Sequence, residues 1–170
     1  MKKMQIYNKI FISHSEKDKE LVKMLEELLM LGIGFTREQI FCTSDPGCLE
    51  TGRAYSDEIK NEMKEAKLVI AVITDNYLNS KSCVMELGAG WLLSDQKEFF
   101  PMLVSPVTFL QVENSLLKGY QLSCMDRNGL AGLYDLCMER NLVENKNTAE
   151  FIERVDEFLK KTKSVYNMVK

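Results

Sequence analysis

The chain has 170 residues, of which 45% are hydrophobic and 28% are charged, and its formal net charge is −3. These proportions are typical of a globular protein and exclude a disordered or fibrous chain, and the length predicts a single domain over residues 1–170. Because Lys and Arg are interspersed with Asp and Glu and form no basic stripe, the composition argues against nucleic acid as a partner.

Strand and helix patterns alternate from the start of the chain. A strand is predicted over residues 9–13, and Ser15 and Asp18 then form an S-x-x-D pattern that predicts the N-terminal cap of a helix. Apolar residues at three- and four-residue spacing give this helix one buried face, and Gly32 and Gly34 end it.

The middle of the chain holds the strongest strand signal. A strand over residues 39–43 runs into a long loop at residues 44–53, where a Pro-Gly pair marks a turn, and a helix follows over residues 53–65. Residues 68–74, LVIAVIT, lack the polar alternation of a one-sided sheet. They therefore predict a central parallel strand that is covered on both faces.

A helix that carries Glu86 is predicted after the central strand, within the stretch at residues 77–91, and a fourth strand is predicted over residues 99–104. Pro101 cannot donate to a strand ladder, so the start of that strand is expected at an edge or an irregularity. The rest of the chain predicts, in order, a short helix or structured loop over residues 108–118, a strand over 121–125, a helix over 129–140 and an amphipathic helix over 150–165.

This order of elements predicts an α/β fold. Right-handed crossovers favour a flavodoxin-like, doubly wound, five-stranded parallel sheet flanked by helices. Ligands of such sheets bind at the carboxyl ends of the strands. Glu86 follows the central strand and is expected at the mouth of a helix, so it is the best candidate for chemistry.

Several other classes of site lack their motifs. A phospho-acceptor domain of this architecture needs an acidic pair after the first strand, where this chain has S-H-S, and Asp75 is therefore interpreted as part of a helix cap. The P-loop and dinucleotide fingerprints are absent, and so is the G-x-S-x-G element of hydrolases. The single imidazole, His14, is interpreted as a packing residue more readily than as a catalyst.

Five cysteines, none of them in a C-x-x-C pair, and one histidine argue against a disulfide scaffold and a metal site. The longest apolar run, at residues 68–73, is far shorter than the roughly 20 residues that span a bilayer, and residues 1–8 lack an apolar signal core. We therefore expect a cytoplasmic protein without a membrane partner.

Three segments carry a resemblance to a known family: KIFISHSEKD at residues 9–18, FCTSDPGCLETGRAYSDEI at residues 41–59 and YLNSKSCVMELGAGW at residues 77–91. They give, in order, a strand that ends in F-I-S-x, a long loop with a P-G pair, and Y-x-x-S-x-x-C-x-x-E-L after the apolar strand. In this order and spacing the chain resembles the TIR family in its bacterial, stand-alone form. The resemblance covers residues 9–104 by motif and residues 105–170 by topology only.

The resemblance implies an enzyme. In enzymatic members, the glutamate of the C-x-x-E element cleaves the bond between nicotinamide and ribose in NAD+, and Glu86 matches that glutamate. The chain is thus expected to be an NAD+ glycohydrolase or ADP-ribosyl cyclase of the hydrolase class, with NAD+ as substrate and no cofactor. Its products would be nicotinamide and either ADP-ribose or a cyclic ADP-ribose. Similar stand-alone members act in bacterial anti-phage defence, where a separate effector protein reads the nucleotide signal.

A single carboxylate is sufficient for this reaction. Glycosidases generally need a second carboxyl group to protonate the leaving group, whereas the pyridinium of NAD+ leaves as neutral nicotinamide. The carboxylate can stabilise the oxocarbenium-like ribosyl that remains. It can also accept hydrogen bonds from ribose hydroxyls, each worth about 1.5–3 kcal/mol.

Seven further residues are predicted to contact the substrate: Ser13, His14, Ser15, Asp45, Arg53, Ser82 and Cys83. The first three precede a helix N-terminus, whose free amides suit a pyrophosphate, although plain helix capping explains them equally well. Asp45 could close over the substrate or contact a neighbouring subunit, and Arg53 could pair with phosphate, although a solvated or salt-bridged role explains Arg53 more readily. The last two lie on the same side of a helix as the candidate glutamate.

One position departs from the family pattern. The family often carries a tryptophan four positions before its glutamate, where this chain has Ser82. The ring that stacks on nicotinamide or adenine is therefore left open, and the nearest aromatic residues are Phe11, Tyr77 and Trp91.

Two alternatives to NAD+ cleavage stay open. One is a non-catalytic interaction module that works by homotypic packing through the loop at residues 44–53 and its flanking helices; the other is a glycosidase for a different N-glycoside. Glu86 favours an enzyme, and Ser82 favours the interaction module. Self-association through the same loop is expected of the enzyme as well, because a neighbouring copy could shield an open crevice from water.

Overall fold

The computed structural model describes residues 8–42, 55–92, 95, 97–113, 115, 117–144 and 147–166, with the backbone alone described at residues 55, 56, 90, 91 and 166. The predicted loop at residues 44–53, with Asp45 and Arg53, lies outside the described residues.

Five parallel strands form one sheet in the order β2-β1-β3-β4-β5. They are β1 (Ile10–Ser13), β2 (Ile40–Cys42), β3 (Leu68–Ile73), β4 (Glu98–Leu103) and β5 (Ser123–Cys124). The strand order reverses direction between β1 and β3, as it does in a doubly wound sheet. The predicted flavodoxin-like α/β fold is confirmed.

The described residues contain seven α-helices: α1 (Lys19–Leu28), α2 (Tyr55–Glu65), α3 (Asp75–Leu78), α4 (Lys81–Leu92), α5 (Phe109–Val112), α6 (Arg127–Glu139) and α7 (Thr148–Tyr166). A 3-10 turn, Glu16–Asp18, precedes α1, and a π-helical turn, Leu29–Ile33, extends it. Gly34 ends that stretch with a φ of 105°, a left-handed conformation that favours glycine. None of the described helices is long and apolar enough to cross a membrane.

Helices cover both faces of the sheet, and β3 shows the arrangement most clearly because all six of its residues are buried. Leu68, Ile70 and Val72 belong to the larger core, which α1, α6 and α7 cover. The alternate residues Val69, Ala71 and Ile73 belong to two smaller clusters on the opposite face, which α2 to α5 cover. The prediction of a central strand buried on both sides is confirmed.

Among the described residues, no strand pairs with Pro101 on the side where its missing N–H would point. The amides of Glu98 and Val104 donate to Lys67 and Ile73 on the β3 side, so the alternation of a strand turns residue 101 towards β5. The pairing with β5 begins only at Met102. The start of β4 is therefore an open edge, as predicted.

The predicted side-chain cap of the first helix is not formed. Ser15 is the N-cap residue of the 3-10 turn, but its side chain makes no capping hydrogen bond. Asp18, which is 2% exposed, instead accepts hydrogen bonds from Thr74 Oγ1 at 2.5 Å and Asn76 Nδ2 at 2.8 Å. Its carboxylate thus ties the connection after β1 to the connection after β3 at the carboxyl edge of the sheet.

Lys97 closes the C-terminal end of α2. Its ammonium donates to the carbonyls of Met63, Lys64 and Ala66, the last two at 2.8 and 3.1 Å. Burial lowers the pKa of Lys97, and the charge of Lys67 lowers it further. The ammonium therefore satisfies carbonyls that have no partner within the helix.

We expect Lys97→Met to lower the free energy of unfolding by about 1–2 kcal/mol, because methionine keeps most of the apolar stem and removes a charged donor from the negative end of α2. Urea titration would measure the loss. The control is Lys160→Met on the exposed side of α7, which should change stability little. Equal stability of the two variants would contradict a capping role for Lys97.

Candidate active site

Glu86 lies beside the end of β1, at the carboxyl edge of the sheet. Its Oε2 accepts a hydrogen bond of 2.7 Å from Ser13 Oγ. Ser13 is the last residue of β1 and pairs with Ala71, whose side chain faces the cluster that α3 and α4 cover. Since α4 begins at Lys81, Glu86 falls in its second turn, and the expected position at the mouth of the helix is wrong. The connection between β3 and β4 contains two helices, α3 and α4, and Glu86 lies on the second.

A buried tyrosine, Tyr77, is within hydrogen-bond distance of Ser13. The hydroxyl of Tyr77 lies 2.9 Å from Ser13 Oγ, and the Tyr77 side chain is fully buried. Burial raises the pKa of Tyr77, against a smaller effect of the Ser13 hydrogen bond, so the phenol stays protonated. Sequence reasoning considered Tyr77 only as a stacking ring and missed this contact.

Burial also sets the electrostatics of the carboxylate. Loss of hydration raises the pKa of Glu86 above its ordinary value, and the Ser13 hydrogen bond opposes that rise because it favours the charged form. Cys83, one turn earlier on α4, also has a raised pKa through burial, and its thiol donates to the His14 carbonyl at 3.5 Å. Cys83 therefore supports the site as a neutral, packed thiol.

A cleft of about 170 Å³ opens next to Glu86, between α2 and α4. Its lining consists of Ile59, Lys60, Met63, Ser82, Met85, Glu86 and Ala89. The walls are thus mostly aliphatic or thioether, with the carboxylate, one hydroxyl and one ammonium as polar groups. Met85 is 76% exposed and forms the outer rim.

Two other hollows lack comparable chemistry. One, of about 20 Å³, lies between α1 and α7 and has room for little more than one water molecule. The other, of about 390 Å³, surrounds α5 and is lined by Phe109, Leu110 and their neighbours, with Glu113 and Lys118 as its charged groups. Both charges are exposed. The cleft at Glu86 is the better candidate because it holds a half-buried carboxylate whose pKa is raised.

The other predicted contacts lie at different depths around this cleft. Ser13 and Ser82 adjoin it, the first through Glu86 and the second as an exposed lining residue. The ring of His14 is buried, with Nδ1 3.2 Å from the Ile12 carbonyl and Nε2 3.6 Å from the Cys42 thiol. Their contacts with a substrate stay predictions.

The ring that would stack on the substrate was left open by the sequence, and neither Phe11 nor Tyr77 is among the described lining residues. Phe11 is fully buried and stacks on Phe41 with ring centroids 5.5 Å apart, and Tyr77 is occupied with Ser13. The side chain of Trp91 lies outside the described residues. The part of the chain that the structure describes also contains no group of three or more His, Cys, Asp or Glu suited to a metal ion.

Comparison with protein families identifies the chain. The model described as "TIR domain" matches residues 10–129, which is more than half of the sequence. The chain belongs to the TIR domain family. The match extends from the first residue of β1 into α6 and includes Ser13, Tyr77 and Glu86.

This TIR chain is also similar to a curated bacterial protein, "Uncharacterized protein YddK" of Bacillus subtilis (strain 168). The two are 27% identical over an alignment of 143 positions, which covers 72% of this chain and 53% of YddK. The chain therefore spans about half the length of that relative.

Solved structures of TIR domains share the fold. The TIR domain of the Toll-related receptor TRR-2 from Hydra magnipapillata matches with a TM-score of 0.56 and 14% identity, over 78% of this chain and 96% of that one. The second structure is that of the activated Roq1 resistosome, which is described as directly recognizing the pathogen effector XopQ. Its TIR domains match with a TM-score of 0.50 and 18% identity, over 94% of this chain and 90% of that one. At these identities the likeness concerns the fold alone.

Proposed function

We propose that this TIR domain cleaves the bond between nicotinamide and ribose in NAD+, giving nicotinamide and either ADP-ribose or a cyclic ADP-ribose. The observation that carries the proposal is the Glu86 carboxylate, which is held by Ser13 at the wall of a cleft and has a raised pKa through burial. The TIR family includes enzymes that cleave NAD+, and the C-x-x-E element of this chain lies within the matched range.

The proposed chemistry needs one ionised carboxylate. As the C1′–N bond breaks, its electron pair passes to the ring nitrogen, nicotinamide leaves neutral, and positive charge develops on the ribosyl. Glu86 stabilises that charge, and the stabilisation is stronger in a partly dehydrated site than in water. One carboxylate oxygen already accepts from Ser13, and the other can accept from a ribose hydroxyl. Water or a nucleophile of the same substrate then captures the ribosyl.

The cleft has room for the base and part of its sugar. Sites that enclose a drug-sized ligand measure roughly 300–1,000 Å³, and the cleft measures about 170 Å³. It can therefore enclose one ring and part of the ribose, while the rest of the dinucleotide extends beyond it. Ile59, Met63 and Met85 give the ring an apolar wall, and thioether sulfurs make favourable contacts with aromatic rings. Lys60 supplies a cation for the diphosphate.

We expect Met85→Lys to raise KM for NAD+ about tenfold, because a second ammonium at the rim repels the pyridinium and removes an apolar contact. Met85 is mostly exposed, so the fold should tolerate the change. The control is Ile152→Lys on α7, at an exposed apolar residue that is not among the lining. Steady-state kinetics would compare the two, and an equal rise in KM would show that charge alone, without the cleft, is responsible.

Incubation of purified protein with NAD+, and separately with nucleosides, tests the function itself. Release of nicotinamide from NAD+ alone supports the proposal, and mass analysis of the second product distinguishes hydrolysis from cyclisation. Release of a base from nucleosides but not from NAD+ would favour a different N-glycosidase. No release at any protein concentration would favour the interaction module.

The interaction module is the second candidate, and exposed apolar side chains on α4 favour it. Val84 is 40% exposed, Met85 76% and Leu92 72%. Several exposed apolar side chains on one helix are typical of a surface that binds another protein. Self-association through this face, or through the loop at residues 44–53, is compatible with both candidates. From the family we further propose a cytoplasmic role in anti-phage defence, in which a separate effector protein reads the nucleotide product.

A further inference from the structure

Three polar side chains form a continuous line from the core to the cleft. Tyr77 OH lies 2.9 Å from Ser13 Oγ, and Ser13 Oγ lies 2.7 Å from Glu86 Oε2. Tyr77 and Ser13 are buried, whereas Glu86 reaches the cleft. The serine is thus the only link in this line between the tyrosine and the carboxylate.

The chemistry of the three groups fixes the direction of both hydrogen bonds. A serine hydroxyl carries one proton, and an ionised carboxylate can only accept, so the Ser13 proton points to Glu86. Tyr77 must then donate its own proton to Ser13 Oγ. Burial keeps the phenol protonated, which suits this role.

Tyr77 is itself held in place from the other side. Its backbone N–H donates to Thr74 Oγ1 at 3.0 Å, and Thr74 Oγ1 donates to the buried carboxylate of Asp18 at 2.5 Å. The tyrosine therefore sits at the fixed N-terminal turn of α3. Rigid support of this kind is what a preorganised site needs.

We propose that Tyr77 is a positioning residue for the cleavage of NAD+. By donating to Ser13 Oγ, it keeps the Ser13 hydroxyl as a hydrogen-bond donor to Glu86, and so it keeps the carboxylate oriented towards the ribose. This inference rests on the proposed function and deepens it. Tyr77 does not touch the cleft, so it acts only through Ser13. Without the phenol, Ser13 can rotate, Glu86 loses a steady donor, and its charged form becomes less favourable.

The surroundings of Glu86 make this donor important. On its own helix the thiol of Cys83 interacts electrostatically with Glu86, and on the β1 side that thiol already donates to the His14 carbonyl. On α2, Lys60 lines the same cleft but lies 3.9 Å from Asp57, with which it forms an exposed ion pair. Ser13 is therefore the hydrogen bond that favours the Glu86 carboxylate against its burial.

Tyr77→Phe tests the inference, because it removes the hydroxyl and keeps the ring. We expect kcat for nicotinamide release to fall about tenfold, with KM changed less than about twofold, since the loss acts on the reacting carboxylate. In a plot of kcat against pH, the acid limb should move to higher pH, because the charged form of Glu86 becomes less favourable. The matched control is Tyr134→Phe, whose hydroxyl lies 3.2 Å from Thr148 Oγ1 on α7, and it should change neither quantity.

Two further measurements separate positioning from packing. In a Ser13→Ala background, Tyr77→Phe should have almost no additional effect on kcat, because the line is already broken. NMR titration of ¹³C-labelled glutamate in the free protein should show a higher Glu86 pKa in Tyr77→Phe, and Ser13→Ala should show the same rise even if the tyrosine variant does not fold.

The NMR titration also distinguishes this inference from the proposed function. If the native chain releases no nicotinamide but the Glu86 pKa rises in Tyr77→Phe, the line of hydrogen bonds stands and NAD+ cleavage fails. If the native chain cleaves NAD+ and Tyr77→Phe changes neither kcat nor the Glu86 pKa, the inference is overturned. Additive losses in the double variant would overturn it as well.

Discussion

Glu86→Gln is expected to lower kcat for nicotinamide release by about 10²–10³-fold or more, because the amide keeps the shape of the side chain and removes the charge that stabilises the ribosyl cation. Ser13 can still donate to the glutamine oxygen, so the loss is electrostatic and the packing persists. Single-turnover release of nicotinamide would measure it. Activity close to the native level would remove this mechanism even if NAD+ were the substrate.

The same substitution should stabilise the fold at neutral pH. Burial raises the pKa of Glu86 in the folded state above the ordinary value of 4.5, so the ionised side chain costs stability at neutral pH. This cost falls as pH drops through the folded pKa and is absent below about 4.5, where the carboxyl is protonated in both states. The variant should therefore have the higher Tm at pH 7, and the difference should vanish in acid.

Thermal unfolding at several pH values checks this sign, with about 2–4 °C expected for each kcal/mol gained in a chain of this size. Glu153→Gln, on the exposed side of α7, is the control and should leave Tm nearly unchanged at every pH. A lower Tm for Glu86→Gln at pH 7 would mean that the charge stabilises the fold, which would argue for a structural role.

Gly129→Ala is expected to destabilise the protein by about 3 kcal/mol or more. A Cβ at Gly129 would lie 1.8 Å from the carbonyl oxygen of Cys124, so the backbone between β5 and α6 would have to move. That backbone is fixed, since Asp126 caps the N–H of Gly129 at 2.8 Å and donates its own N–H to Cys124. The expected fall in Tm is roughly 6–12 °C, measured by calorimetry.

Gly132→Ala is the matched control, three residues later on the same helix. Nothing lies within 4 Å of the Cβ that it would add, so only the helix propensity changes. We expect it to stabilise the protein by about 0.5–1 kcal/mol. If both alanine variants had the native Tm, the result would contradict the close approach of Gly129 to the Cys124 carbonyl.

The sheet could be predicted from sequence because its signals are local. The six buried residues of β3, and the alternation of strands and helices around it, need only neighbouring residues to be recognised. The fifth strand illustrates the limit: residues 121–125 predict a full strand, but only Ser123–Cys124 pair, opposite Met102 and Leu103. The length of an edge strand depends on its neighbour, which its own residues do not reveal.

The site was predictable in part. Glu86 emerged from the family resemblance and from its place after the central strand, whereas the contacts that hold it join residues far apart in the chain. Ser13 and Glu86 are 73 positions apart, and Asp18 and Thr74 are 56 apart. Local patterns explained Ser15 and Asp18 as a cap, because the competing partner of Asp18 becomes visible only after β1 and β3 pair.

The tie between Asp18 and Thr74 limits how such a site can be transplanted. The helix that bears Glu86 contains neither Ser13, which ends β1, nor Tyr77, which lies on α3. If the C-x-x-E helix alone were grafted onto another scaffold, the glutamate would keep its neighbours along the chain but would lose the hydrogen bond that orients its carboxylate. The end of β1 with Asp18 would have to be transferred together with α3 and α4.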